Sequence, residues 1–451
     1  RVGGNIIWAT DFREETETTS QGGGKGGGPE VETTEYRYFA SLAVGICEGP
    51  IAGIGRVWAD GDLLDTSTIE WRVYHGTETQ APDPLIQSLM GVDATPAYRG
   101  LAYAVFEELP LARFGNRLPQ LTFEVLRPFA EPQTAEGLLP AVCMIPSSGE
   151  FTYATEGIRK DAGGHENLNA LSRTADMLVS LDRLEAVAPA CEAVSLVVSW
   201  FGTDLRAGEC ELKPGVEFAA KDTSRAWSVN GVARADAYLV SRDAEDRPIY
   251  GGTPADFSVV QAIRELKARG KRVTFYPFIL MDVPPGNDLP DPYSDGASAL
   301  GQPPFPWRGR ITCSPAAGFA GSVDKTATAA DQVAAFFGTA TAADFSVSGE
   351  TVAWTGPADD WGMRRMILHY AHLCAAAGGD DAFLIGTEMR GLTTIRSGAS
   401  TYPAVQAYRD LLADVRSILG SGTKIGYAAD WSEYFGYQPG DGDRFFHLER
   451  T

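Results

Sequence analysis

The sequence has little of what marks secreted, membrane-spanning or nucleic-acid-binding proteins. Only six cysteines occur in 451 residues, without a C-x-x-C pair. This excludes a disulfide framework and predicts reduced, buried thiols. No apolar run approaches the roughly 20 residues that a membrane-spanning helix needs, and Ile6–Ala9 is too short for the core of a signal peptide. We therefore expect synthesis in a cytoplasm and no membrane span in this segment.

Positive charge is also scarce. The chain has 38 Lys and Arg against 59 Asp and Glu, a formal net charge of −21. A surface this acidic repels phosphate backbones, so sequence-independent nucleic-acid binding is disfavoured, and solubility is the simplest explanation of the excess. The hydrophobic content of 44% is typical of globular proteins. Because the chain starts at Arg1 and stops abruptly at Thr451, we interpret both as cut ends of a longer polypeptide.

Residues 1–135 are predicted to form a β-rich segment of short strands broken by turns. A glycine run around Lys25 interrupts the first pair of strands; it lacks the G-K-[ST] spacing of a phosphate-binding loop and indicates a flexible connection. Four prolines between Pro128 and Pro146 mark the boundary of the segment. The expected strands are Asn5–Thr10, Tyr36–Cys47, Ile54–Ala59, Ile69–Tyr74, Ala102–Leu109 and Gln120–Leu126.

Residues 136–451 alternate apolar strands with amphipathic helices. Strands that are apolar on both faces and separated by helices predict a parallel α/β domain. Five of the eight strands of a (β/α)8 barrel are counted, so the barrel is incomplete, and an insertion spans about residues 283–357. The expected strands are Val194–Phe201, Ala237–Val240, Arg272–Leu280, Ala382–Ile385 and Lys424–Ala428; the expected helices are Glu166–Glu185, Thr253–Gly270, Asp359–Ala377 and Pro403–Leu419.

Two sets of motifs carry a resemblance to known families. Tyr38–Asp65, with EGPI at Glu48–Ile51, is similar to a segment of tail-tip attachment and baseplate hub proteins of long-tailed phages. The second half resembles the glycosidase-like TIM-barrel domain of gene transfer agents, which are domesticated phage particles. The combination resembles their large baseplate protein family, the megatron. The motifs of the second half are Leu196–Gly208, Pro277–Tyr293, Trp307–Pro315 and Phe383–Thr393.

This resemblance implies a multidomain protein, with a mainly-β tail-hub segment followed by an incomplete TIM-barrel-like (β/α)8 domain. It further implies a homotrimer on the tail axis, at the tip of a particle that also contains baseplate and tail-tube proteins. DNA would pass through the lumen without specific binding. A cell-envelope glycan such as peptidoglycan would be the target during penetration of the recipient envelope.

Working residues of a (β/α)8 enzyme sit at the carboxyl ends of its strands. This position selects Asp204, Asp282, Glu388 and Asp430, and glycoside hydrolysis needs two carboxyl groups. The resemblance to retaining barrel glycosidases implies that Glu388 is the general acid/base, although Thr387 stands where those enzymes usually have Asn, and their nucleophile follows a seventh strand that this chain lacks. An ion pair of Glu388 with Arg390 or Arg396 is the structural alternative, and for Asp430 a loop cap.

Aromatic and arginine side chains near the same ends are candidates for sugar binding: Trp307, Trp431, Arg390 and Arg242. His369 and His372 share a helix face, but no third ligand is evident, so we predict no metal and no cofactor. Two alternatives to an envelope-cleaving barrel stay open. The barrel could be a catalytically inactive spacer or glycan-binding module, or the chain could be a free intracellular glycoside hydrolase.

Overall fold

The computed structural model describes residues 1–21, 31–127, 134–146, 149–160, 163–170, 172, 174–295, 300–434 and 436–444. The chain forms two compact units: residues 1–139 with 169–174 and 179–190, and the remainder. The glycine run, and Pro128 and Pro132 of the expected boundary, lie outside the described residues. Within the described residues, no helix combines the length and apolarity that crossing a membrane requires.

The first unit is built from antiparallel strands. They form two sheets: one has the order β1-β9-β5-β6, and the other has the order β2-β4-β8-β7 with β3 as a fifth strand paired to β4. Its described elements are β1 (Val2–Gly3), β2 (Asn5–Ala9), β3 (Arg13–Gln21), β4 (Val31–Glu48), β5 (Gly53–Ala59), β6 (Asp62–Leu63), β7 (Glu70–His75), β8 (Leu101–Pro110), β9 (Leu121–Leu126), and the helices α1 (Pro84–Met90) and α2 (Ala135–Leu138).

All six strands expected in this segment are present, and one is longer than expected. The strand expected from Tyr36 begins at Val31, because its first half pairs with β3 from Gln21↔Val31 to Arg13↔Phe39. The charged and threonine-rich composition of this hairpin gives no apolar alternation, which is why periodicity alone does not reveal it.

The two sheets of the first unit share one core. Alternate residues of β4 (Leu42, Val44) point into it and are almost fully buried, as the two-residue period of a strand requires. Phe106 of β8 and Phe123 of β9 meet there with ring centroids 6.4 Å apart. Ala43, between Leu42 and Val44, faces a second cluster beneath α1.

The second unit is organised around five parallel strands in the order β10-β11-β17-β20-β21. Its described strands are β10 (Ala141–Met144), β11 (Ala193–Gly202), β12 (Leu212–Lys213), β13 (Gly215–Val216), β14 (Ser228–Val229), β15 (Val232–Ala233), β16 (Tyr238–Leu239), β17 (Arg272–Met281), β18 (Phe345–Ser348), β19 (Thr351–Trp354), β20 (Ala382–Thr387) and β21 (Lys424–Ala428). The helices that follow α2 along the chain are α3 (Asp176–Val187), most of which belongs to the first unit, and then, in the second unit, α4 (Asp256–Ala268), α5 (Ala327–Phe337), α6 (Met363–Ala376), α7 (Arg390–Thr393) and α8 (Pro403–Leu419).

One strand expected in the main sheet is wrong. Ala237–Val240 contributes only β16, which pairs with β13 in a separate two-stranded sheet. β11 and β17 are direct neighbours over ten residue pairs, so no strand fits between them. The strand that sequence reasoning missed is β10, whose four residues lie in the segment interpreted as a boundary. Glu388 therefore still follows the fourth parallel strand.

Three helices are shorter than expected, and the one expected over Thr253–Gly270 spans only Asp256–Ala268. The helix predicted over Glu166–Glu185 begins only at Asp176. Before it, the Asn167 side chain accepts the N–H of Ile158 and donates to the carbonyl of Glu156, and such local bonds compete with helical hydrogen bonding. Leu171, expected on its apolar face, lies outside the described residues. The helix expected from Asp359 begins at Met363.

The insertion contains α5, the β18–β19 hairpin and a helical turn at Arg308–Arg310. This turn packs against the start of α7. A Cβ atom on Gly391 would come within 2.6 Å of the Ile311 carbonyl oxygen and 2.8 Å of that of Gly309. The close backbone approach brings part of the insertion to the carboxyl end of β20.

Candidate functional site

Glu388 directly follows β20 and has a left-handed backbone, with φ at 52°. A non-glycine residue in this region costs about 1–3 kcal/mol and persists only where its surroundings hold it. Here the fifth strand holds it. The Glu388 N–H donates to the Ala428 carbonyl at 2.8 Å, and the next N–H, of Met389, donates to the Tyr427 hydroxyl at 2.7 Å.

A buried carboxylate supports this arrangement from behind. Glu433 is 2% exposed and accepts hydrogen bonds from the Tyr427 hydroxyl at 3.0 Å and the Asp430 N–H at 2.7 Å. Burial raises the pKa of Glu433, against the opposing effect of these donors, and burial also raises the pKa of Tyr427. The Glu388 backbone therefore rests on a connected buried network rather than on a mobile loop.

The Glu388 side chain is tied to the insertion. Its Oε2 accepts from Arg308 Nη2 at 2.5 Å and from Trp307 Nε1 at 3.0 Å. Arg308 is 5% exposed, also donates to the Thr387 carbonyl at 3.0 Å, and lies 3.7 Å from the centroid of the Phe278 ring. Burial lowers the pKa of Arg308, and the charge of Glu388 opposes this shift.

An open cleft of about 560 Å³ lies beside this pair; it is lined by Trp307, Arg390, Asp430, Trp431, Ser432 and Gly436. Trp431 is 74% exposed and Trp307 38% exposed, so both indoles present surface to solvent. Asp430 is the N-cap of the turn Trp431–Glu433 and accepts the N–H of Ser432 at 2.9 Å. Burial opposes the shift, but the bonds from Ser432 lower the pKa of Asp430.

Five of the eight residues selected from the sequence are thus gathered in one place: Trp307, Glu388, Arg390, Asp430 and Trp431. The ion-pair partner expected for Glu388 is wrong. Arg308 occupies that role, whereas Arg396 pairs with Asp324 at 2.7 Å, and the Arg390 guanidinium lies in the cleft lining.

The other three selected residues lie in internal contacts away from the cleft lining. Asp204 pairs with Arg206 at 2.6 Å. Asp282, 2% exposed, accepts the N–H of Ser241 at 2.8 Å and the Tyr238 hydroxyl at 3.0 Å. Arg242 donates to the backbone carbonyl of Glu217 at 2.8 Å. A position at a strand end therefore does not by itself bring a side chain to the cleft.

Sequence reasoning missed Arg308, Tyr427 and Glu433. Arg308 stands far from Glu388 along the chain, and no local pattern signals their contact. Glu433 did have a signal. Asp430 followed three residues later by Glu is a capping-box pattern, and the structure contains both of its reciprocal hydrogen bonds.

Neither α6 histidine is arranged as a metal ligand. His369 Nε2 lies 3.0 Å from Asp256 Oδ1, and His372 Nε2 lies 2.9 Å from the Ala342 carbonyl oxygen. Across the described ranges, no three His, Cys, Asp or Glu side chains gather as a metal-binding group.

A parallel α/β unit with a cleft at the carboxyl ends of its strands is the architecture of TIM-barrel-like proteins and of open α/β sheets. The first of these classes is favoured by residues 361–451, which match the family described as the GTA TIM-barrel-like domain, where GTA stands for gene transfer agent. A chain from the virion of a native gene transfer agent particle is 42% identical over 32% of this chain, with a TM-score of 0.25. The match spans 30% of that chain. The resemblance to gene transfer agent proteins is confirmed.

Two solved structures of a GH113 β-1,4-mannanase are also similar, at 13% and 14% identity. Each covers 53% of this chain and 45% of the mannanase, with a TM-score of 0.23. A likeness this distant carries no argument about chemistry. No curated protein matches the chain.

Proposed function

We propose that the chain is a structural baseplate component of a gene transfer agent or phage-like tail, and that its barrel binds a glycan of the recipient envelope. The family match over residues 361–451 supports the particle, and the cleft beside Glu388 supports the glycan. In this proposal the β-rich first unit belongs to a trimeric hub on the tail axis, in contact with other baseplate and tail-tube proteins. DNA passes through its lumen without specific binding.

The observation that carries glycan binding is the pair of indoles in the cleft, Trp307 and Trp431. Aromatic rings stack on the apolar faces of sugars, and a few polar groups then fix the orientation of the ligand. Here Arg390 and Asp430 supply such groups. The bond from Trp307 Nε1 to Glu388 fixes one indole in advance, which reduces the entropy lost on binding.

The contacts of Glu388 favour binding over hydrolysis. A general acid must carry a proton that it can donate, whereas Glu388 Oε2 accepts hydrogen bonds from both Arg308 and Trp307. Asp430, the carboxylate among the described lining residues, is the N-cap of its helical turn. We therefore assign Glu388 the role of orienting Trp307 within a binding cleft.

Hydrolysis of a β-linked envelope glycan is the second candidate, and one observation favours it. Glu388 lies at the end of the fourth parallel strand, its backbone is left-handed, and its side chain is 32% exposed. Strained backbone of this kind clusters at active sites. In that case Glu388 is the general acid/base, and a second carboxylate must act with it.

Binding and cleavage are separated by one set of assays on purified peptidoglycan glycan strands. Trp431→Ala should weaken binding about tenfold, because stacking aromatic side chains dominate such sites. Tyr36→Ala, which removes a similarly exposed ring from β4, is the matched control and should bind like the wild type. Unchanged binding by Trp431→Ala would exclude the cleft as the glycan site.

The same peptidoglycan glycan strands test the second candidate function, hydrolysis. If the barrel hydrolyses them, Glu388→Gln should lower the rate of reducing-end release about 10²–10⁴-fold. Binding without release of reducing ends by the wild type supports the recognition role alone.

The position in the particle needs a separate experiment. Immuno-electron microscopy should place an antibody against this chain at the tail tip; label confined to the head would contradict the baseplate position.

A further inference from the structure

Arg390 is the one cation among the described residues that line the cleft. Its side chain is exposed and lines the cleft, and its guanidinium has neither a hydrogen bond nor an ion pair with any described residue. Arg308, next to the lining residue Trp307, is buried and bound to Glu388.

Two other arginines that follow strands of the second unit are engaged in internal contacts. Arg206 pairs with Asp204, and Arg242 donates to two backbone carbonyl groups, those of Glu217 and Asp246. The chain has 21 more acidic than basic side chains, so a cation that lines a cleft stands out against its surroundings. A guanidinium presents five donors in a planar fork that matches a carboxylate.

The charge of Arg390 helps to lower the pKa of its acidic neighbour Asp430, but no hydrogen bond or ion pair joins the two described side chains. Asp430 Oδ2 accepts the N–H and the hydroxyl of Ser432, so this carboxylate is oriented toward its own turn. Trp431 follows directly and is 74% exposed. The cleft therefore offers a stacking surface and a free carboxylate-binding group on adjacent elements, α7 and the turn after β21.

We propose that the cleft selects glycans whose sugars carry carboxylates, with Arg390 binding the carboxylate while a sugar ring stacks on Trp431. This inference rests on the proposed glycan-binding function and adds the ligand class. Two sources supply this chemistry: uronic acids of surface polysaccharides, and the lactyl group of muramic acid in peptidoglycan.

The test uses two pairs of probes that differ in the carboxylate. One pair is an oligogalacturonate and the same oligomer after carboxyl reduction; the other is a muramic-acid-containing oligosaccharide and the chitin oligosaccharide of equal length. Titration calorimetry should show about tenfold tighter binding of the acidic member of at least one pair, and this preference should weaken at high salt.

Three variants of the full chain localise the effect. Arg390→Gln should remove the preference while retaining binding of the uncharged member, and Arg390→Lys should keep part of it. Arg409→Gln, which removes an exposed arginine from α8, should behave like the wild type. The pair that shows the preference identifies the source of the carboxylate.

Other outcomes are informative in different ways. Equal affinity for charged and uncharged members overturns the inference but leaves the glycan-binding function intact. Loss of both members in Arg390→Gln overturns it as well, because Arg390 would then shape the cleft rather than select charge. Absence of binding to all four probes refutes the proposed function, and the inference with it.

Discussion

The two ends of β20 place carboxylates in opposite environments. Asp380, just before the strand, is 8% exposed; its Oδ1 accepts from the Thr423 hydroxyl at 3.3 Å, and its Oδ2 has no hydrogen-bond partner among the described residues. Burial raises its pKa to about 7. Glu388, after the strand, is a third exposed and paired with Arg308.

This contrast shows that burial and charge partners, rather than residue type, decide what an acidic side chain does at a strand end. A buried carboxylate without a cation is destabilising once it ionises. A partly exposed carboxylate with a buried arginine behind it forms an ion pair and can hold a neighbouring ring by a hydrogen bond. The following three predictions test the difference, starting with the largest effect.

Asp380→Asn should change the pH dependence of stability most. Because its pKa is raised in the folded state, the contribution of Asp380 to stability is fully present below about pH 4 and is lost as the pH rises through about 7. The variant should therefore gain on the wild type between pH 4 and pH 8, by at most about 4 kcal/mol. Chemical denaturation at several pH values measures this gain.

The control for this experiment is Asp410→Asn, which changes an exposed carboxyl group on α8. Its unfolding free energy should follow that of the wild type across the whole range. If the unfolding free energy of Asp380→Asn also follows that of the wild type at every pH, Asp380 is solvated in solution.

Glu388→Ala should destabilise the second unit by about 3 kcal/mol, since it leaves the buried Arg308 guanidinium without an anion. Arg308→Met should also be destabilising, but the double variant should lose less than the sum of the two, with a coupling of about 1–3 kcal/mol. Denaturation of the single and double variants, followed by tryptophan fluorescence, gives the coupling. Strict additivity would show that the ion pair does not form.

Asp282→Ala tests whether the position at a strand end or the burial of the side chain determines the role of an acidic residue. Asp282 directly follows β17 but is buried like Asp380, and it accepts a hydrogen bond from the Ser241 N–H. Its removal should cost about 1–3 kcal/mol of unfolding free energy, because that N–H loses its partner. Glycan affinity should be unchanged. A variant that keeps its stability but loses glycan binding would return Asp282 to the site.

The strongly periodic elements were predictable from the sequence. β11, β17 and α8 were located to within about two residues, since long apolar runs and amphipathic helices dominate their windows. The short β10 was missed, because four residues between prolines give little periodicity. Ala237–Val240 was assigned to the main sheet because an apolar run carries no information about its pairing partner.

The site was predictable only in part, for the same physical reason. The rule that working residues follow strands found Glu388, Asp430 and Trp431, which are close to their strands in sequence. The same rule also selected Asp204 and Asp282, because it does not see burial. Arg308 reaches Glu388 across 80 positions of the chain, and only the folded arrangement reveals this contact.

The absence of a side chain at Gly391 limits which substitutions this part of the cleft can accept. Its backbone sits so close to the Gly309 and Ile311 carbonyl groups that even a methyl group would force the two segments apart. A substitution of Gly391 by a larger residue would widen or tilt one wall of the cleft, while the residues proposed to contact a ligand would stay unchanged. Gly391→Ala is accordingly a way to change the width of the cleft without changing the chemical groups that line it.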